Sequence, residues 1–108
     1  MKLRPDLAII ADAVPQASRV LDVGCGDGEL MAALRDKGVD ARGLEIDPDN
    51  VTAAIARGQS VVQGDANRDL ADYPDDAFDY AILSQTLQTT ERPDRIVDEL
   101  LRIAARAF

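Results

Sequence analysis

Apolar and polar residues alternate along the chain in blocks that predict strands and helices in turn. Short apolar runs bounded by glycine, proline or aspartate predict strands at 19–23, 41–46, 60–63 and 78–84. Between them, apolar residues recur three and four positions apart and predict helices at 5–14, from 27 or 28 to 37, at 48–57 and from Pro93 onward. The first strand, with Val20, Leu21 and Val23, suits a position covered on both faces, as in parallel sheets.

This alternation of strands with helices of about ten residues predicts βαβ units. The fold class expected is therefore α/β, a Rossmann-like parallel sheet with helices on both faces and right-handed crossovers. The polar stretch from 64 to 77 predicts a loop, with room for one helical turn. The helix at 48–57 is expected to turn Val51, Ala54 and Ile55 inward. The last helix is expected to bury one broad face, made of Ile96, Val97, Leu100, Leu101 and Ala104.

The loop after the first strand contains the most informative pattern, VLDVGCGDGE at 20–29. Its glycines permit a sharp turn and the close approach of a ligand, and backbone N–H groups point out of the loop and the following helix start. A dinucleotide fingerprint G-x-G-x-x-G would need its third glycine at position 29, which is Glu29. The G-x-G-x-G form, preceded by acidic Asp22, resembles motif I of the methyltransferases that bind S-adenosylmethionine, and it disfavours an NAD-dependent dehydrogenase.

Acidic or polar residues also follow the other strands, where ligands bind in doubly wound sheets. Glu45 lies where a carboxylate can take the two ribose hydroxyls of an adenosine cofactor, and Asp65 is expected to reach the adenine amine. The Asp22 side of the loop would hold the ammonium group of the methionine part. Three carboxylates around one crevice favour a sulfonium cation over a pyrophosphate. The expected cofactor-binding residues are Asp22, Gly24, Cys25, Gly26, Gly28, Glu45, Ile46, Asp65, Ala66 and Ser84.

One cysteine and a group of aspartates have a simpler interpretation than a reactive or metal-binding role. Cys25 sits where a helix N-terminus could lower its thiol pKa, but a small residue between two glycines is explained by space alone. The aspartates between 69 and 79 lack metal-ligand spacing and predict a solvated face, so no metal site is expected. No catalytic acid or base is evident, and methyl transfer needs mainly the alignment of acceptor, methyl group and sulfur.

Composition narrows the class of protein further. A chain of 108 residues with 46% hydrophobic residues supports one domain with one core. One cysteine and no histidine exclude an internal disulfide and a histidine-based triad. A net charge of −8 argues against binding nucleic acid, and no signal peptide or membrane span is found, so a cytoplasmic protein is expected.

Across nearly its whole length the chain resembles the methionine biosynthesis MetW family. The resemblance rests on LRPDL at 3–7, VLDVGCGDGEL at 20–30, GLEIDPDNV at 43–51, IARG at 55–58, VVQGD at 61–65, FDYAILSQTLQ at 78–88 and PDRIVDELLR at 93–102. It implies a methyltransferase-like domain that binds S-adenosylmethionine and works beside homoserine O-acetyltransferase. Two functions stay open: a methyltransferase, or a non-catalytic partner that regulates the acetyltransferase through a contact such as the loop Gln85–Asp94.

The resemblance also implies a strand order. In methyltransferases of this type the order is 3-2-1-4-5-7-6, so the chain would supply 3-2-1-4 and lack the later strands. We therefore expect residues 1–108 to be a single, truncated domain whose fourth strand is an open apolar edge, prone to association.

Overall fold

The computed structural model describes residues 5–84 and 92–107 of the chain. Its strands are β1 (Arg19–Val23), β2 (Asp40–Glu45), β3 (Ser60–Gln63), β4 (Phe78–Leu83) and β5 (Ala104–Ala107). Its helices are α1 (Pro5–Ala13), α2 (Glu29–Asp36), α3 (Pro48–Ala56), α4 (Ala66–Asp69) and α5 (Pro93–Ile103), and a 3-10 turn covers Leu70–Asp72. No helix within these described ranges is long and apolar enough to cross a membrane.

The five strands form one parallel sheet in the order β3-β2-β1-β4-β5. On one face α1 and α2 bury a cluster that includes Leu7, Leu34 and Ile82. On the other face α4 and α5 bury a cluster that includes Leu70 and Leu100. The Rossmann-like α/β fold is confirmed, and β1 lies near the centre of the sheet, so the loop after it opens at the crevice typical of such folds.

The expectation that the fourth strand is an open edge is wrong. β5 pairs with β4 in parallel, with Phe78 opposite Ala104 and Ala81 opposite Ala107. Ala104 therefore opens a strand with extended backbone angles and does not continue the face of α5. The expected absence of later strands is corrected to this extent, and the association inferred from a bare fourth strand loses its basis.

The helices bury narrower stripes than their sequences predict. Val97 and Leu101 of α5 are 41% and 56% exposed, and Ile55 of α3 is 55% exposed, although all three were predicted to face inward. Ile96 and Leu100 are buried as predicted. Each helix packs against one face of the sheet only, so an apolar residue about 100° around the helix from the contact line stays in water.

The polar stretch after β3 is more ordered than a loop. It forms α4 and the 3-10 turn, and the Arg102 side chain of α5 donates hydrogen bonds to the carbonyl oxygens of Leu70 at 3.0 Å and Tyr73 at 2.7 Å. The same guanidinium pairs with Asp75 and Glu99. One arginine thus fixes the connection that carries the chain from β3 to β4.

Candidate functional site

The carboxylate at the end of β1 is fully buried. Asp22 accepts a hydrogen bond of 2.6 Å at Oδ1 from the Ser84 hydroxyl, which follows β4. Its other oxygen, Oδ2, is buried and has no hydrogen-bond partner among the described residues. Burial raises the pKa of Asp22 to about 7; the Ser84 hydrogen bond opposes the rise, and the nearby Glu45 charge adds to it.

The glycine loop follows directly and is held against β2. Gly24, Gly26 and Gly28 have φ angles of 72°, 60° and 87°, a region that glycine adopts at low cost. The Gly24 N–H donates to the Leu44 carbonyl oxygen at 2.8 Å, and the Gly26 N–H donates to Glu45 Oε1 at 2.7 Å. The second of these bonds joins the loop to the carboxylate predicted to bind ribose.

Glu45 has a fixed position at the end of β2. Its side chain is 6% exposed, and besides the bond from Gly26 it accepts one at Oε2 from the Asp47 N–H, at 2.9 Å. Each carboxylate oxygen has two acceptor positions, so each retains one for a ligand. Glu45 is therefore oriented in advance, and it also supports the loop, a role that its sequence position did not indicate.

Asp65 caps α4 at the end of β3. Its Oδ1 accepts hydrogen bonds from the Asn67 backbone N–H at 2.9 Å and from the Asn67 side chain at 3.1 Å. Its own N–H donates to Asp69 Oδ2 at 2.7 Å, and this hydrogen bond is the main reason that the pKa of Asp69 lies below its usual value. Asp69, predicted only to face solvent, thus positions the backbone of Asp65.

Two adjoining cavities lie along the carboxyl ends of these strands. The smaller, of about 230 Å³, contains four of the expected residues, and the larger, of about 440 Å³, contains five. The smaller is lined by Asp22, Cys25, Gly26 and Ser84, and the larger by Gly24, Glu45, Ile46, Asp65 and Ala66. Asn50 lines both cavities, and their combined size falls in the range of small-molecule sites.

The tenth expected residue, Gly28, is not among the described residues that line these cavities. A Cβ at Gly28 would lie 3.1 Å from Gln59 Cγ and 3.3 Å from Ala54 Cβ, so this glycine allows the loop to pack closely on α3. Asn50 and Asn67 line the larger cavity but were not expected. Their signal in the sequence is their position, five residues after Glu45 and two after Asp65.

The cysteine in the loop is a packing residue. A Cβ at Gly43 would lie 2.7 Å from both Cys25 Sγ and Met31 Sδ, so the glycine in β2 provides the space that the two sulfur atoms fill. Burial, followed by the charges of Asp22 and Glu45, raises the pKa of the thiol to about 12. A thiol with that pKa is protonated at neutral pH, which supports the steric interpretation over a reactive cysteine.

A third cavity of about 550 Å³ lies between α4 and α5 and shares Asp65, Ala66 and Asn67 with the larger of the two above. Arg92, near the end of the predicted contact loop Gln85–Asp94, lines this cavity, whereas residues 85–91 of that loop lie outside the described part of the chain. In the described ranges, no group of three or more cysteine, aspartate or glutamate side chains is arranged to hold a metal ion.

The sheet order and this loop define the class of protein: the fold is that of the S-adenosylmethionine-dependent methyltransferases. A methyltransferase of this kind from Archaeoglobus fulgidus superposes with a TM-score of 0.77 and 27% identity, over 92% of this chain and 46% of that one. Another, from Thermotoga maritima, gives a TM-score of 0.75 and 25% identity, over 92% of this chain and 44% of that one.

Within that class, the chain belongs to the methionine biosynthesis protein MetW family, whose model matches residues 4–108. It is 38% identical over 115 aligned residues to the bifunctional methionine biosynthesis protein MetXA/MetW of Rhodopirellula baltica. That alignment covers 98% of this chain and 18% of the relative. The chain thus spans about a fifth of the length of this relative and less than half of the two solved structures.

Proposed function

We propose that the protein binds S-adenosylmethionine across the two adjoining cavities. The observation that carries this proposal is the buried carboxylate of Asp22, a residue that lines the smaller cavity and whose Oδ2 has no partner among the described residues. A buried polar atom without a hydrogen bond is costly, and such atoms in native proteins call for an explanation. A ligand that brings a cation into this cavity removes the cost.

The residues present fit the two halves of the cofactor. In the smaller cavity, Asp22 would pair with the ammonium group of the methionine half, beside the Gly26 backbone and the Ser84 hydroxyl. In the larger cavity, Glu45 would accept hydrogen bonds from the ribose and Asp65 would face the adenine, which would pack on Ile46, 62% exposed in the free protein. When bound, the cofactor supplies an activated methyl group on a sulfonium sulfur.

The charge of the site supports a cationic ligand over a dinucleotide. The residues that line the two cavities are neutral or acidic, and neither lysine nor arginine is among those described. A pyrophosphate placed there would face carboxylates without a compensating cation. The carboxylates favour a sulfonium and an ammonium group instead.

Isothermal titration calorimetry with S-adenosylhomocysteine, S-adenosylmethionine and NAD tests this proposal. Both sulfur compounds are expected to bind with one-to-one stoichiometry, and NAD is expected to give no heat of binding. Saturable binding of NAD with no response to either sulfur compound would refute the proposal.

We further propose that the protein acts in methionine biosynthesis together with homoserine O-acetyltransferase. Support comes from the Rhodopirellula baltica relative, whose name joins MetXA and MetW in one bifunctional protein. The described elements form one sheet, which supports treating the chain as one cofactor-binding domain. The second candidate is a free methyltransferase acting on a small acceptor, and the methyltransferases from Archaeoglobus fulgidus and Thermotoga maritima favour it.

Co-purification with the acetyltransferase, followed by an acetyltransferase assay with and without this protein, separates the two candidates. We expect the two proteins to form a complex and the acetylation rate to change when this protein is added. Adding S-adenosylhomocysteine should alter both the complex and the rate. No complex and no rate change, together with methylation of a small acceptor, would establish the free methyltransferase instead.

A further inference from the structure

The α3 helix does not need an asparagine at position 50. Asn50 is the third residue of α3, where the Asp47 side chain already caps the helix by accepting a hydrogen bond of 2.9 Å from the Asp49 N–H. Asparagine is a poor residue inside a helix, because its side chain competes for backbone hydrogen bonds. Among the described residues, the Asn50 side chain has no hydrogen-bond partner, although it lines both cavities.

The larger cavity has many acceptors and few donors among its side chains. Of the described residues that line it, only Asn50 and Asn67 carry a side-chain N–H or O–H group. The Asn67 amide already donates to Asp65 Oδ1 at 3.1 Å. Asn50 is therefore the side-chain donor that is not engaged by another described residue.

A ribose diol needs such a donor next to an acceptor. Each carboxylate oxygen of Glu45 already accepts one hydrogen bond from a backbone N–H, of Gly26 or of Asp47. Each can accept one more, but a carboxylate cannot donate. A hydroxyl that donates to a carboxylate still has lone pairs, which lose their water when the ligand enters the cavity. A neutral amide at the junction of the two cavities, where a ligand passes from one to the other, satisfies them.

We propose that Asn50 is a specificity-determining residue that reads the ribose diol of the cofactor, with its Nδ2 donating to a hydroxyl that in turn donates to Glu45. The inference rests on the proposed binding of S-adenosylmethionine and adds a selection for ribose over deoxyribose. A site that hydrogen-bonds a ligand hydroxyl discriminates against the analogue that lacks it, because its own polar groups are then left unpaired.

The test compares S-adenosylhomocysteine with its 2′-deoxy and 3′-deoxy analogues by calorimetry. Wild-type protein should bind the parent compound at least about tenfold more tightly than one of the analogues, since a charged and a neutral hydrogen bond are both lost. In Asn50→Ala, affinity for the parent should fall about 3- to 10-fold and the preference over that analogue should shrink by the same factor. Alanine is the better helix former, so this variant is expected to fold.

Two further variants make the comparison specific. Asn50→Asp keeps the shape but replaces the donor by an acceptor, and it should lose the preference at least as fully as the alanine variant. Thr52→Ala is the matched control, because Thr52 is exposed on the same helix and its hydroxyl donates to the Pro48 carbonyl oxygen at 3.0 Å. Its affinities should equal those of wild type.

An unchanged preference for the parent compound over both analogues in Asn50→Ala would overturn the inference while leaving cofactor binding intact. Equal binding of parent and both analogues by wild-type protein would do the same. Failure of wild-type protein to bind S-adenosylhomocysteine would refute the proposed function, and this inference with it.

Discussion

Replacing Asp22 by asparagine is expected to stabilise the ligand-free protein at alkaline pH and to weaken its affinity for S-adenosylhomocysteine. Asp22 is fully buried, and the Ser84 hydroxyl donates a hydrogen bond to one of its oxygens. Burial is the main cause that raises the carboxyl pKa to about 7, so the folded state prefers the protonated form. Asparagine carries no charge and removes this preference, but it also removes the anion that would bind an ammonium group.

The sign and size of the effect follow from the pKa. The ordinary carboxyl pKa is 3.8, so between about pH 4 and pH 7 the folded state binds more protons than the unfolded state. The free energy of unfolding therefore falls as the pH rises through that window. One pKa unit corresponds to about 1.4 kcal/mol, so the ionised carboxylate costs the folded state about 4 kcal/mol above pH 7. An unpaired amide N–H costs about 1 to 3 kcal/mol, which leaves a net gain of about 1 to 3 kcal/mol at pH 8.

Urea unfolding of wild type and Asp22→Asn at pH 5 and pH 8 measures this effect, because the amide penalty is the same at both pH values and cancels. The stability advantage of the variant should grow by roughly 3 kcal/mol from pH 5 to pH 8. Asp79→Asn is the control: that carboxyl is exposed, and the hydrogen bonds from Arg19 hold its pKa below the usual value, so its replacement should not gain stability as the pH rises.

Calorimetry with S-adenosylhomocysteine completes the test. Asp22→Asn should bind about 10- to 100-fold more weakly, the scale of one hydrogen bond to a charged group. Equal loss of stability at both pH values, with unchanged affinity, would show that the Asp22 carboxylate is neither strained by burial nor used by the ligand.

The charge of Asp22, the hydrogen bonds of Glu45 and the packing at Gly43 can each be tested in solution. In wild type, affinity for S-adenosylhomocysteine should fall by up to about tenfold for each pH unit below 7, because the Asp22 carboxyl must ionise to pair with an ammonium group. In Asp22→Asn the affinity should not change with pH, and parallel pH profiles of the two proteins would contradict this prediction. Glu45→Gln should lower the free energy of unfolding by about 1 to 3 kcal/mol in urea titrations, since its amide can accept only one of the two backbone hydrogen bonds. Equal stability of variant and wild type would show that Glu45 does not support the glycine loop. Gly43→Ala should lower the free energy of unfolding by about 1 to 3 kcal/mol in the same titration, because its Cβ would lie 2.7 Å from the sulfur atoms of Cys25 and Met31. An unchanged free energy of unfolding would mean that both side chains move aside freely.

The positions of the candidate site residues could be predicted because they depend on topology more than on detail. A parallel sheet brings the carboxyl ends of its strands to one edge, so Asp22, Glu45 and Asp65 were expected to meet there from their places in the sequence alone. What each carboxylate contacts could not be predicted. The bond from the Gly26 N–H to Glu45 joins residues 19 positions apart and depends on the φ angles of the loop.

The fifth strand shows where the reasoning from sequence fails. Ala104–Ala107 consists of three alanines and an arginine, a composition that favours helix, and it extends the helical spacing of Ile96 and Leu100. The pairing of these residues with β4 overrides that local preference, because the edge of β4 that faces away from β1 would otherwise leave its backbone groups unpaired. The same limit applies to Val97 and Leu101, since periodicity identifies an apolar stripe but not how much of it the sheet covers.

The proposed function puts the buried Asp22 carboxylate at one end of a site for S-adenosylmethionine. The most direct measurement is a crystal structure of the protein with S-adenosylhomocysteine bound. It should place the ligand's ammonium nitrogen within hydrogen-bond distance of Asp22 Oδ2, with the ribose hydroxyls at Glu45 and the adenine beside Asp65. A ligand bound elsewhere, in the cavity between α4 and α5 for example, with Asp22 Oδ2 still unpaired, would show that Asp22 is not part of the cofactor site.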